Sequence, residues 1–209
     1  MAGNGAGIHN HTDGVVNLML CIISGNTSNE GGGIYNNGSV LSINASTIAF
    51  NNATLSGGGI ESKNETTLKN PLVASNESNQ GVDLSGMFTS NSYNLIGNDD
   101  GNAFSESPDD IEGEDPMLEP LANNGNTTAT HKLMFGSAAY NAGDPNDNFS
   151  DQNGQAVFEG RRDIGSDESQ DVLSSLEDLN IEISGVSIYP NPVVNYLNVE
   201  IPNDFGKDI

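Results

Sequence analysis

The sequence has no tryptophan, one cysteine and only 6 Lys and Arg residues, against 29 Asp and Glu, in 209 residues. A lone cysteine, Cys21, excludes an internal disulfide framework and a zinc site built from several cysteines. The shortage of basic residues argues against nucleic acids and anionic membranes as partners, because both are bound through basic patches. No apolar run approaches the roughly 18 residues of a membrane-spanning helix, so we expect no transmembrane segment. Residues 1–14 lack the basic start and apolar segment of a signal peptide.

The composition also lacks the excess of Ala, Glu, Lys and Leu that is typical of helical bundles and coiled coils. Asn is the commonest residue, with 30 copies, followed by Gly with 25. Both residue types are poor in helix interiors and frequent in turns. The composition therefore favours many short strands joined by many turns.

The net charge of −23 is unevenly distributed, and residues 101–183 alone carry −15. A solvated acidic surface is one interpretation, and weak calcium binding is the other. The run 144–151 superficially matches the D-x-N-x-N pattern of a calcium loop. An EF-hand is excluded because Phe149 stands where its glycine is required and Gln155 where its last glutamate is required. No other cofactor is predicted.

Three glycine tracts recur at a fixed spacing, and each is followed by an isoleucine: Ile8, Ile34 and Ile60 lie 26 residues apart. A fixed period of this length indicates a repeat architecture. A second column at the same spacing aligns Ile22 with Ile48, and the third repeat matches the second after a slip of two residues, which aligns Leu72 with Ile48.

Each repeat contains short alternating runs, such as 41–43 and 47–49, bounded by Asn and Gly turns. A unit of 26 residues cannot bury its apolar face alone, whereas stacked units can. We therefore predict an all-β fold, a right-handed parallel β-helix with coils of about 26 residues. The repeated Ile would form an internal stack, the repeated Asn a ladder of amide hydrogen bonds, and the Gly tract a tight bend.

The rung Gly31–Asn36 resembles those of bacterial surface β-helices of the polymorphic outer-membrane-repeat type. The motifs that follow resemble the choice-of-anchor Q domain, which ends many secreted β-helices and precedes a surface anchor. These motifs lie at residues 73–76, 81–90, 93–97, 115–125, 130–133, 136–144, 151–154 and 162–165. The chain departs from the family pattern at Ala139, Asn153 and Ser166–Asp167.

The C-terminal stretches 186–192 and 196–201 resemble the start of the C-terminal sorting domain of the type IX secretion system, a small β-sandwich. The resemblance implies a sorting motif made of Tyr189, Pro190, Asn191, Pro192, Leu197 and Val199. It also implies export by the type IX translocon, and a secreted or cell-surface location in a Gram-negative bacterium.

Together the patterns divide the chain into four parts. Residues 1–100 are β-helix coils, 101–166 the terminal part of the β-helix, 167–183 an acidic linker and 184–209 an incomplete sorting domain. Both ends look truncated, so we expect an uncapped coil near residues 5–25 that tends to self-associate.

The β-helix is shared by pectate-lyase-like enzymes, so catalytic groups must be considered. The coils offer only Lys63 and Lys69 as bases, with Glu61 and Glu65 nearby, and these charges are interpreted as a solvated face. The pairs 99–100 and 109–110 are interpreted as turns rather than paired catalytic carboxylates, because adjacent strand residues point to opposite faces.

The three histidines are interpreted in the same way. His9 and His11 share a strand face, but they lack an evident third metal ligand apart from Asp13, and His9 aligns with a variable column that we expect to be exposed. His131 is expected to pack or to form hydrogen bonds, and neither Ser24 nor Ser137 has recognisable His–Asp partners in the sequence.

We therefore predict no catalytic, cofactor or metal residues, and a structural or adhesive display function. Two alternatives stay open. One is the C-terminal part of a polysaccharide-degrading enzyme whose active site lies in further coils. The other is a module that binds carbohydrate or calcium, with a glycan or host-surface ligand.

Overall fold

The computed structural model describes residues 3–98, 104–105, 107–124, 128–170, 187–189 and 198–200. Every regular element in these residues is a β-strand, so none of the described elements is a helix that could cross a membrane. The chain divides into two units, Met1–Leu173 and Ser174–Ile209.

The first unit contains short strands that follow one another closely along the chain. They are β1 (Ile8–Asn10), β2 (Val15–Met19), β3 (Ile22–Ser24), β4 (Thr27–Glu30), β5 (Ile34–Asn36), β6 (Val40–Asn44), β7 (Thr47–Ala49), β8 (Asn52–Ser56), β9 (Ile60–Lys69), β10 (Leu72–Ala74), β11 (Glu77–Ser78), β12 (Leu84–Ser90), β13 (Leu95–Ile96), β14 (Phe104–Ser105) and β15 (Ile111–Glu112).

These strands form three parallel sheets, and the chain returns to each sheet once per coil. Sheet A has the order β1-β5-β9-β12-β14, with β2 and β6 beside it; sheet B has the order β15-β13-β10-β7-β3; sheet C has the order β11-β8-β4. The result is a parallel β-solenoid of about four turns. It confirms the predicted fold class and is consistent with the right-handed form.

The register confirms one predicted column and corrects the other. Ile8, Ile34 and Ile60 are direct neighbours in sheet A, as predicted. In sheet B, however, Ile48 pairs with Ile23 and not with Ile22, and it pairs with Val73 and not with Leu72.

Over the first three coils the repeat is therefore 25 residues in sheet B and 26 at the glycine tracts. The loop that follows the first strand of a coil spans residues 11–14 in coil 1 and only 37–39 in coil 2. A register shift between Ser28 and Glu30, opposite β8, restores the lost residue before the next glycine tract. Because side chains alternate along a strand, an error of one residue reverses the predicted inward and outward faces.

The glycine tracts allow neighbouring coils to approach closely, as expected. Gly31 and Gly57 have φ values of +63° and +64°, which other residues adopt only with strain. A Cβ atom on Gly33 would lie 2.7 Å from the carbonyl oxygen of Gly59 in the next coil. Larger residues at these positions would push the coils apart.

The first unit has two apolar cores. The inner one fills the solenoid with stacked rungs: Ile23, Ile34, Leu41, Ile43, Ile48, Ile60, Leu68, Val73, Leu84, Phe88 and Ile96. The outer one lies where the terminal segment, the described residues 107–124 and 128–170, packs on sheet B. It comprises Ala49, Leu72, Ala74, Leu95, Leu118, Leu133, Ala139 and Ile164.

The second unit contains β16 (Ser187–Tyr189) and β17 (Asn198–Glu200), which pair in antiparallel fashion with Ile188 opposite Val199. These are the two strands that the sequence predicts for the start of the sorting domain. The residues between them lie outside the described part of the chain.

Candidate functional site

An asparagine ladder runs along the solenoid beside sheet B. The Nδ2 of Asn26 donates to Oδ1 of Asn51 (2.9 Å), Asn51 donates in the same way to Asn76 (3.0 Å), and Asn76 donates to the Asp83 carboxylate (2.8 Å). The backbone amide of each Asn also donates to the side-chain oxygen of the next rung. This is the predicted ladder, although it joins Asn26 to Asn51 and not to the aligned Asn52.

A second ladder crosses the coils where the first strands of sheet A end. The side chain of Asn10 donates to Asn36 (2.9 Å), and Asn36 donates to the hydroxyls of Ser62 and Thr66 (both 3.1 Å). Asn36, Ser62 and Thr66 are buried. In both ladders, polar side chains that could have met a ligand are bonded to one another.

The outer face of sheet A carries a row of larger side chains, which we call the outer row: His9, Tyr35 and Glu61, aligned across β1, β5 and β9. The ring of His9 meets the ring of Tyr35 edge-on, with centroids 5.0 Å apart. His11 stacks on His9 at 5.7 Å. His9 and Tyr35 give the row an aromatic surface.

The expectation that this column is exposed throughout is wrong at Glu61, whose exposed fraction is 4%. Its Oε1 binds the ammonium group of Lys63, which also lies 3.9 Å from Glu30. Burial opposes the charge on Lys63, but the bond to Glu61 and the nearby carboxylates raise its pKa. The other carboxylate oxygen of Glu61 is buried without a hydrogen-bond partner.

The terminal segment brings His131 to Ser24, although this is not a His–Asp pair, because the other ring nitrogen of His131 meets a backbone carbonyl. The Nε2 of His131 lies 2.9 Å from Ser24 Oγ, and its Nδ1 lies 2.8 Å from the carbonyl oxygen of Glu119. A carbonyl only accepts hydrogen bonds, so Nδ1 carries the proton and Nε2 accepts from the serine hydroxyl. A separation of 107 residues leaves no sequence signal for this contact.

This pair has the first two elements of a nucleophilic triad, but its third partner is a backbone carbonyl and not a carboxylate. Burial lowers the pKa of His131, although the Glu119 carbonyl opposes the shift. The ring packs on Phe50 with centroids 4.9 Å apart. The hydrogen-bonding function expected of His131 is therefore confirmed, and the contact fastens the terminal segment to the coils.

The most unusual group of the terminal segment is Arg162, which is fully buried. Its guanidinium donates three long bonds, of 3.3–3.5 Å, to the carbonyls of Phe149, Asp163 and Gly165. It also lies 4.2 Å from the centroid of the Phe149 ring. Burial lowers the pKa of Arg162, whereas nearby carboxylates, with Glu168 first, raise it.

Buried carboxylates surround this arginine. Asp163 accepts hydrogen bonds from the amides of Asn141 (2.6 Å) and Ser169 (2.9 Å), and Glu168 accepts from the amides of Phe158 and Asp163 (both 3.0 Å). Burial raises the pKa of Asp163 to about 7, and these hydrogen bonds only partly oppose it. Burial also raises the pKa of Glu168.

Asp167, which precedes Glu168 in the chain, also has a raised pKa. Burial and the charge of Asp151 raise its pKa to about 6. Asp167 and Glu168 come from the predicted linker, yet both belong to the unit that ends at Leu173. The terminal segment therefore buries acidic groups that sequence reasoning assigned to solvent.

The segment 144–151, which was considered as a calcium loop, contacts the coils through Lys69. The ammonium group of Lys69 binds Asp144 (3.1 Å) and Asp147 (2.9 Å). Burial opposes the charge on Lys69, but the bonds to Asp147 and Asp144 raise its pKa. Asn70 donates to Asp147 and accepts from the Asp144 amide. In the part of the chain that the structure describes, no three His, Cys, Asp or Glu side chains gather as a metal site.

The remaining predicted positions are distributed as follows. Asp110 accepts from the amides of Asn94 and Ser107, as expected of a turn residue. The pair 99–100 lies outside the described residues. Of the sorting motif, Tyr189 ends β16 and Val199 lies in β17, whereas Pro190, Asn191, Pro192 and Leu197 lie outside the described residues.

Two of the three positions at which the sequence departs from the choice-of-anchor Q pattern that it resembles lie in well-packed surroundings. Ala139 is fully buried in the outer core. Ser166 is also fully buried, and its amide and hydroxyl both bond to Thr47 Oγ1 in coil 2.

No protein-family model, curated protein or solved structure matches the chain.

Proposed function

We propose that the chain is a non-catalytic scaffold of a bacterial cell surface or secreted protein, serving structural or adhesive display. The observation that carries the proposal is the internal pairing of its polar groups. The two ladders bond the buried amides of the coils to one another, and Lys69 pairs with Asp144 and Asp147. Such pairing stiffens a rod and leaves these groups unavailable for chemistry on a substrate.

We further propose that the C-terminus is the start of a type IX sorting signal and that the terminal segment is a choice-of-anchor Q module. Three observations support this assignment: the order of the sequence motifs, the antiparallel pairing of β16 with β17, and the docking of the terminal segment on sheet B. The assignment implies a Gram-negative host and the type IX translocon as partner.

The export proposal is tested by expressing the full chain behind a signal peptide in a bacterium that has a type IX system. We expect the chain at the cell surface or in the medium, and in the periplasm of a translocon-deficient strain. Tyr189→Ala combined with Pro190→Ala should reproduce the periplasmic location, whereas Phe135→Ala, an exposed residue of the first unit, should not. An identical distribution in both strains contradicts the proposal.

A second candidate function is glycan binding at the outer row, and the adjoining rings of His9 and Tyr35 favour it. These two rings give a sugar an aromatic surface on which to pack. A glycan array probed with the full chain tests this function, with Tyr35→Ala as the site variant and Phe135→Ala as its control. Binding that Tyr35→Ala abolishes favours the glycan module, and no binding favours the scaffold.

The enzyme alternative is tested at the Ser24–His131 pair. The scaffold proposal predicts that a fluorophosphonate probe, which marks activated serines, does not label the chain. Labelling that is lost in both Ser24→Ala and His131→Ala would instead assign a nucleophilic serine here. A polysaccharide-degrading site in further coils of a longer protein is a separate alternative, addressed by assaying that protein.

A further inference from the structure

The outer face of sheet A brings two histidines together. His9 lies in β1 and His11 follows β1 directly, and both side chains are exposed. Their rings stack with centroids 5.7 Å apart and an angle of 29° between the ring planes. Because neighbouring strand residues point to opposite faces, His9 and His11 share the outer face while Asn10 between them is buried. We call His9 and His11 the histidine pair.

Asn10 fixes the backbone that carries both histidines. Its side chain donates to Oδ1 of Asn36 (2.9 Å) and to the carbonyl oxygen of Val40 (3.0 Å). Its own carbonyl oxygen accepts from the amide of Asn37 (2.9 Å). These partners all lie in the second coil, so contacts within the described chain set the position of the histidine pair.

Further contacts support each histidine separately. The amide of Gly14 donates to the carbonyl oxygen of His11 (2.8 Å), and the Gly14 carbonyl accepts from the amide of Ser39 (2.9 Å) in the second coil. His9 is supported by Tyr35, whose ring meets the imidazole edge-on at 5.0 Å. Two imidazoles held in this way lose less freedom when they bind a common ligand, which favours binding.

The separation of the two rings suits a single metal ion. An ion bound about 2.0–2.1 Å from an imidazole nitrogen lies roughly 3 Å from the ring centroid, so one ion can bind two rings whose centroids lie within about 6 Å. The observed separation of 5.7 Å meets this condition. Both side chains are exposed, so a change of rotamer can turn one nitrogen of each ring onto the ion.

The donor atoms select the kind of ion. Imidazole nitrogens bind Cu²⁺, Ni²⁺ and Zn²⁺, with Cu²⁺ bound most tightly, whereas Mg²⁺ and Ca²⁺ require oxygen ligands. The net charge of −23 raises the concentration of cations near the chain. Within the described residues no group of three His, Cys, Asp or Glu side chains forms, so Asp13 does not complete the site.

We propose that His9 and His11 chelate one Cu²⁺ ion on the outer face of sheet A. The chain supplies two nitrogen ligands, and the other coordination positions are open to water or to a further ligand. Such a site adds metal binding to the proposed scaffold and does not depend on that function.

Titration of the untagged full chain with Cu²⁺, in competition with glycine, should show one tight site per chain. Electron paramagnetic resonance of the 1:1 complex should show coupling to two imidazole nitrogens. His9→Ala and His11→Ala should each reduce this number to one and weaken binding by more than about tenfold, because binding through two linked ligands is lost. Zn²⁺ should compete more weakly for the same site, and Mg²⁺ should not compete.

Two control variants separate the pair from histidine content. His131→Gln removes a buried imidazole that is hydrogen-bonded through both ring nitrogens, and it should leave copper binding unchanged. His11→Thr combined with Thr12→His keeps the composition but moves one imidazole out of the pair, so it should bind as weakly as His11→Ala. Far-UV circular dichroism checks that each variant folds.

Three results would overturn the proposal. The first is the absence of copper binding. The second is binding that survives in the His9→Ala/His11→Ala double variant, because the acidic surface alone would then hold the ion. The third is coupling to a single nitrogen in the unaltered chain, or a loss of affinity in only one of the two single variants, because either result shows that the rings do not share one ion.

Discussion

The coils and the terminal segment bury their polar side chains in different ways. The coils, residues 3–98, bury mainly neutral amides and hydroxyls that recur from one coil to the next, such as Asn51 and Asn76, and their buried charged residues are Glu61 and Asp83. The terminal segment buries charged groups that occur once, with Arg162 and Asp163 at 0% exposure. The coils thus satisfy their buried polar groups by repeating the same hydrogen bonds, whereas the terminal segment does so with a single cluster of charged groups.

The difference determines how each part responds to change. A neutral amide buried in a ladder needs only hydrogen-bond partners, and the neighbouring coil supplies them. A buried ion needs compensating charge, and removing one member leaves the others uncompensated. We therefore expect the terminal segment to be the more sensitive region to substitution and to pH.

The largest effect is expected for Arg162→Ala. This change removes the buried cation beside Asp163 and Glu168 and should lower the free energy of unfolding by about 3–5 kcal/mol. Denaturant titration followed by circular dichroism measures the loss. Hydrogen exchange should show that protection is lost first in residues 128–170.

Arg161→Ala is the matched control for this variant. Arg161 is partly exposed and donates to the carbonyls of Ala142 (2.8 Å) and Gly143 (2.7 Å). It should cost only about 1–2 kcal/mol, in the range of lost hydrogen bonds. Equal losses in the two variants would contradict the special position given to Arg162.

The second effect is a fall in stability as pH rises from about 4 to about 7. Asp163 has a pKa of about 7 in the folded state and an ordinary value of 3.8 when unfolded. In this window the folded chain holds a proton that the unfolded chain has released, so raising the pH favours unfolding by on the order of 2–4 kcal/mol. Asp167 and Glu168, whose pKa values are also raised, act in the same direction.

His131 opposes this trend, because its lowered pKa makes folding less favourable as pH falls below about 6.5. The pH dependence is measured by unfolding titrations at pH 5 and pH 8. Asp163→Asn, which cannot ionise, should flatten the dependence, whereas a substitution in the ladder should leave it intact. A pH dependence that Asp163→Asn leaves unchanged would count against the assignment.

Sequence reasoning predicts the coils well because repetition makes the pattern visible. The Ile8, Ile34 and Ile60 column and the amide ladder follow from period and residue type alone. The predicted alignment is wrong by one residue in sheet B. A shorter loop removes one residue from the coil, and a later register shift restores it before the next glycine tract. The repeat period alone cannot show where within a coil one residue is lost and where it is regained.

The terminal segment is beyond this kind of reasoning. Its contacts join distant residues once each: Ser24 with His131, Thr47 with Ser166 and Lys69 with Asp147. Nothing local distinguishes a buried aspartate from a solvated one in an acidic stretch. Only the folded structure shows which carboxylates are surrounded by the arginine and by backbone amides.

The third effect belongs to the coils. Asn51→Ala removes donors to the carbonyls of Ile23 and Ala49 and breaks the ladder on both sides. We expect a loss of about 2–3 kcal/mol that is the same at pH 5 and pH 8, because no charged group is removed. Asn52→Ala, next in the chain but bonded to Glu77 at the surface, should cost less than about 0.5 kcal/mol.

The smallest effect concerns backbone strain that the repeat imposes on the coils. Gly25, Phe50 and Ser75 are 25 residues apart and all adopt positive φ, at +72°, +57° and +58°. Ser75→Gly removes the left-handed strain but adds freedom to the unfolded chain, which leaves a net gain of about 0.5–1 kcal/mol. Ser42→Gly, in the regular strand β6, should lower stability by a similar amount. Thermal unfolding measures the stability of both variants. A gain for Ser75→Gly together with a loss for Ser42→Gly would confirm that the turn at Ser75 is set by the stacking of the coils and not by the residue at that position.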